Sequence, residues 1–151
     1  MPMKLRVLAC LLFMMVMSPR CGEPMSATCK EFYSVAAVQR VDRFKQYPIE
    51  KQYEIYKCGT TQMHPPQTGL AIYIANGGEK NIPFLLEKLK AEDSEGMRGN
   101  VIFVFELMAG RGYLHGRKDV AEEVEKAVAK MKVPFLKETG EASLKKINES
   151  L

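Results

Sequence analysis

The stretch Asn81–Gly110, NIPFLLEKLKAEDSEGMRGNVIFVFELMAG, decides the class of this chain. In its first third, Ile82, Leu85, Leu86 and Leu89 recur at i, i+3, i+4 and i+7, with Glu87, Lys88 and Lys90 between them. That is the apolar stripe of an amphipathic helix, and Pro83 suits a first helical turn. EDSEG is a polar break in which Asp93 or Ser94 can cap a following helix. Met97, Val101, Val104, Phe105 and Met108 then fall on one helical face, while Ile102 and Phe103 make the other side apolar too. The spacing predicts a helical hairpin whose first helix is half-exposed and whose second is buried between neighbours.

Helical spacing extends outward in both directions. SATCKEFYSVAAVQRVDRFKQ reads as a helix from Ser26 or Thr28, with Glu31 completing a capping-box pattern. PIEKQYEIYKCG opens on Pro48 and places Ile49, Tyr53 and Tyr56 on one face, with Gly59 at its end. After Pro65 and Pro66, LAIYI reads as a mostly buried helix stopped by Asn76, Gly77 and Gly78; a strand is the competing assignment. DVAEEVEKAVAKM is amphipathic, with Asp119 as its expected N-cap. A last helix covers Leu136–Leu151, with Leu144 and Ile147 inward. The expectation is one all-α domain over residues 26–151, with about six to seven helices.

Two successive helix pairs share an order: a Pro-started helix, a polar turn, then a second helix. The second pair resembles a HEAT repeat through Pro83, Leu86, Leu89, Asp93 and Arg98. The resemblance covers about residues 82–109 well, 48–77 moderately and 119–151 poorly. It departs from the family at Phe103 and Phe105, where small residues are frequent. It implies a short right-handed stack of antiparallel helix pairs, in which each unit buries its apolar face only by stacking. It also implies structural roles at the turn, with Asp93 capping and Arg98 bracing.

The first residues read differently. MPMKLR is basic, VLACLLFMMVM is apolar, and SPRCGEPMSA brings Pro and small residues. These three regions are those of a secretory signal over residues 1–21, with cleavage between about 20 and 27, and the apolar run is too short to span a bilayer comfortably. Cys21 is the candidate for lipid attachment and so for a membrane tether, although the preceding Arg20 fits that signal badly. The chain carries a net charge of +4. Lys4, Arg6 and Arg20 all precede the first acid, so the exported part is close to neutral. No basic stripe points to nucleic acid. An exported location, secreted or periplasmic, makes Cys29 and Cys58 a natural disulfide pair, closing a loop of about 30 residues worth about 3 kcal/mol in the chain-entropy model. The alternative is two buried free thiols.

Chemistry-bearing motifs are sparse. Cys58, His64 and His115 lack a standard metal spacing and serve poorly as a thiol catalyst. MAGRGYLHG is glycine-rich but follows a helix and lacks the Lys-Ser/Thr ending of a phosphate loop. No cofactor is expected. Tyr53 and Tyr56, with Arg40 and Arg43, either line a groove or pack between helices, the second being preferred. The Gly110–Lys118 connection is long for a helix stack, and its Arg111, Tyr113, His115 and Arg117 are the candidate protein contacts. The functional expectation is an exported, non-catalytic binding module for a protein partner: an adaptor, assembly factor or inhibitor. The alternatives are a lipid-anchored envelope protein, or an accessory protein resembling HEAT-like bilin lyases. Self-association is open, because a short stack leaves its end faces uncovered.

Overall fold

A computed structural model describes residues 24–151 of the chain. Among them every regular element is helical. The helices are α1 (Ala27–Ser34), α2 (Ala37–Gln46), α3 (Ile49–Thr61), α4 (Ala71–Ala75), α5 (Ile82–Ala91), α6 (Glu95–Ala109), α7 (Lys118–Ala129) and α8 (Pro134–Glu149). Short 3-10 turns, Thr68–Leu70 and Gly78–Asn81, flank α4. The expected signal over residues 1–21 and the lipid-bearing Cys21 lie outside the described range, which takes in only the later part of the expected cleavage span.

The count exceeds six to seven because the 26–46 segment is not one helix. Val35 and Ala36 are extended and divide it. Arg40 Nη2 donates to the Tyr33 carbonyl and its Nε to the Val35 carbonyl, both at 2.8 Å, so α2 satisfies carbonyls freed at the end of α1. The bend brings Phe32 against Phe44, with ring centroids 5.9 Å apart. Both rings are fully buried. A straight helix would hold residues twelve apart about 18 Å from each other along its axis.

The hairpin at Asn81–Gly110 forms as its spacing predicts. Ser94 caps α6 by accepting from the Met97 N–H at 3.4 Å. Helix α6 is apolar nearly all round, and Val101, Ile102, Val104, Phe105 and Met108 are all buried. It packs against α3, α4, α5, α7 and α8 and so forms the centre of the core. Outside the hairpin, α5 packs on α7 and α6 on α8.

Two acids set the relation of α6 to α8. Glu95 Oε2 accepts from the N–H groups of Lys132 and Val133 at 2.9 Å, covering donors exposed at the start of α8. Eleven residues further along, Glu106 accepts from Ser143 Oγ and Lys146 Nζ. The two helices therefore run in the same direction. Gly140 permits α8 to approach α7: a Cβ there would lie 2.9 Å from Val128 Cγ2. Helix α7 begins one residue before Asp119, which sits in its first turn instead of at the N-cap.

Candidate functional site

Two adjoining surface features stand out. The first is the solvent side of α6 and the start of α8, where large apolar side chains are exposed. By helical spacing Gly96, Gly99, Phe103 and Leu107 share that side, with α8 along one edge. Phe103 is 37% exposed, and at the start of α8 Val133 and Phe135 are 46% and 73% exposed. At the C-terminal end of α6 a hollow opens between Leu107, Gly110, Arg111, Lys146 and Glu149. The phenylalanines are carried on helices anchored from beneath, so their exposure is built into the fold.

The second is a cleft of about 510 Å³ between α2, α3, α4 and the second 3-10 turn, bordered by Lys45, Tyr47, Glu50, Tyr73, Asn76 and Lys80. Its floor is held by Asn81, whose side-chain amide donates to the buried Ile74 carbonyl at 2.9 Å. Gly77 makes room for that amide, since a Cβ at Gly77 would stand 1.9 Å from Asn81 Nδ2. Gly78, at φ 68°, turns the chain in the left-handed region. Gln52 closes the α2–α3 corner by donating to the Phe44 and Tyr47 carbonyls.

Arg111 joins the two features. Its Nε donates to Asn76 Oδ1 and its Nη1 to the Leu107 carbonyl, each at 2.8 Å. The other candidate contact residues are spread differently. Tyr113 packs its ring over Gly78. Arg117 donates to both carboxylate oxygens of Asp119 at 2.8 and 2.7 Å. His115 is exposed. Between them Leu114 is fully buried, and the Gly116 N–H donates to the Leu151 carbonyl. The long connection is thus pinned to the core and to the C-terminal residue.

No family model, curated protein or solved structure matches this chain.

The structure brings Cys29 and Cys58 together across α1 and α3, both as thiols and both buried. The Cys29 thiol donates to the Glu54 carbonyl at 3.6 Å. Burial, reinforced by the neighbouring Cys29, pushes the Cys58 thiol up to about 12. A protonated, covered thiol is a poor nucleophile. His64 and His115 are exposed on separate loops, and no group of three His, Cys, Asp or Glu among the described residues could hold a metal ion. No helix among them is long and apolar enough to cross a membrane.

At the α5–α6 turn, Arg98 is buried and donates to the Glu92 carbonyl at 2.8 Å. Asp93 is exposed, and Ser94 supplies the cap. Glu92 ties the turn to α3, accepting from Lys57 Nζ at 2.9 Å and from the Tyr53 hydroxyl at 3.4 Å. Burial works against its charge, but Lys57, the Ser94 N–H and Tyr53 outweigh it and hold the carboxyl below its usual range. Tyr53 and Tyr56 pack between helices, and the Tyr56 hydroxyl donates to the Asn100 carbonyl. Burial raises the pKa of both phenols. Arg43 pairs with Glu31 and donates to the Tyr47 hydroxyl.

Proposed function

We propose that this chain is an exported protein-binding module, an adaptor, assembly factor or inhibitor without catalysis of its own. The observation that carries this reading is the exposed apolar surface of α6 and the start of α8. Phe103 on α6, Phe135 on α8 and Val133 at the α8 N-cap expose large apolar side chains on anchored elements. Aromatic side chains so placed gain from burial against a partner, and they lose little freedom because their backbone is already ordered. The same arrangement supports a HEAT-like stack: α5–α6 and α7–α8 are consecutive pairs packed first helix on first and second on second.

The test is site-specific photo-crosslinking in cells that make the full chain. A photoreactive phenylalanine analogue replaces Phe135, with exposed Lys137 as the control position. The expected result is one discrete adduct from position 135, absent from 137 and lost when Phe103→Ser is added to a chain that still melts normally. An adduct of twice the chain's own mass makes the partner a second copy. Equal, diffuse labelling at both positions overturns the reading.

A further inference from the structure

We propose that the cleft beside Tyr73 receives an acidic segment of the partner, its carboxylates held by Lys45 and Lys80. This inference rests on the protein-binding reading and adds the chemistry of the bound chain. The two lysines stand on different elements, Lys45 in the last turn of α2 and Lys80 in the turn after α4, and both border the cleft. Neither has a buried ion-pair partner. Lys45 has an exposed Asp42 at 3.6 Å, and Lys80 makes no ion pair among the described residues. The Lys45 ammonium sits 5.3 Å from the centroid of the Tyr73 ring, which holds the cation at the cleft wall.

The remaining polar groups tilt the same way. The Tyr73 hydroxyl and the Asn76 amide nitrogen have no hydrogen-bond acceptor among the described residues. Asn76 is fixed through its oxygen by Arg111, which leaves the amide nitrogen as a donor. Glu50 is the single carboxylate on the lining. A cleft with two ammonium groups and free neutral donors, opposed by one acid, suits carboxylates through charge-assisted hydrogen bonds. Its volume of about 510 Å³ fits a short segment of chain. A polyphosphate or nucleic acid would call for a longer run of cations. Arg111 lines the hollow at the C-terminal end of α6 and bonds Asn76 on the cleft lining.

The test is fluorescence anisotropy of labelled oligoglutamate with the full chain. The expected result is saturable binding that weakens with salt, is absent for oligoglutamine, and falls about tenfold or more in Lys45→Gln/Lys80→Gln. Both lysines are exposed, so the variant keeps its fold, which circular dichroism checks. Lys145→Gln, on exposed α8 surface, leaves binding unchanged. Equal binding of oligoglutamate and oligoglutamine overturns the proposal, as does equal binding by the double variant. Binding of inorganic polyphosphate at far lower concentration than oligoglutamate also overturns it, since the cleft then selects phosphate. Phe103→Ser separates the two readings. It abolishes the position-135 adduct and leaves oligoglutamate binding intact. A normal Phe135 adduct without oligoglutamate binding removes the cleft proposal and keeps the binding module.

Discussion

Substituting Gly77 by Ala changes the stability of this protein with a sign that depends on Asn81. Gly77 has φ −64°, an ordinary helical value, so alanine is not strained by its own backbone. In isolation the exchange should stabilise by about 0.4–1 kcal/mol through the unfolded chain. The obstacle is the Asn81 amide, 1.9 Å from the new Cβ at Nδ2 and 2.6 Å at Cγ. Asn81 is 5% exposed and cannot swing into water. It must give up its bond to the Ile74 carbonyl, a loss of about 1–3 kcal/mol when a buried amide is left unpaired. Gly77→Ala should therefore destabilise by about 1–2 kcal/mol. Asn81→Ala alone should cost about 1 kcal/mol, since the Ile74 carbonyl keeps its bond from the Gly77 N–H. In the Asn81→Ala background the obstacle is gone, and Gly77→Ala should stabilise by about 0.4–1 kcal/mol. Urea unfolding of the four proteins, followed by circular dichroism, closes the cycle. An equal cost of Gly77→Ala in both backgrounds would refute the packing described for the cleft floor.

Gly140→Ala should destabilise by about 1–3 kcal/mol in the same assay, because its Cβ meets Val128 at 2.9 Å; a neutral result means α7 and α8 are less tightly apposed. Glu92 and Glu106 have carboxyl groups held below the ordinary value of 4.5, burial being outweighed by Lys57 at one and Lys146 at the other. A depressed folded pKa adds stability that is present above 4.5 and is lost as pH falls through the folded value. The urea midpoint should stay level down to about pH 5 and then drop, more shallowly in Glu92→Gln and Glu106→Gln; parallel curves would count against both pairs. Native reduced protein should react slowly with iodoacetamide at Cys58 and quickly in urea, since burial pushes that thiol up to about 12. Refolding the urea-unfolded, reduced protein with oxidised glutathione should join Cys29 to Cys58, with loss of two hydrogen atoms in intact mass; unchanged mass would separate the two sulfurs.

Periodicity alone carried the helices whose burial is one-sided or complete. The Ile82–Leu89 stripe and the apolar run at Val101–Met108 could form little else once EDSEG separated them, and both appear as helices with the expected faces. Local signals were weaker at the break between α1 and α2. Ser34-Val35-Ala36 contains neither Pro nor Gly, and the bend is settled by Phe32 meeting Phe44 and by Arg40 reaching back to α1 carbonyls. Glu95 and Glu106 stand three turns apart on an apolar helix, but their partners lie about forty residues away, just before α8 and within it. The Arg111–Asn76 bond joins residues 35 apart, and the cleft it borders gathers side chains from α2, α3 and the turns around α4. Sequence spacing specifies which face of a helix is apolar, because that depends on neighbours within one or two turns. Which faces meet, and which polar groups are left over between them, is decided by long-range packing.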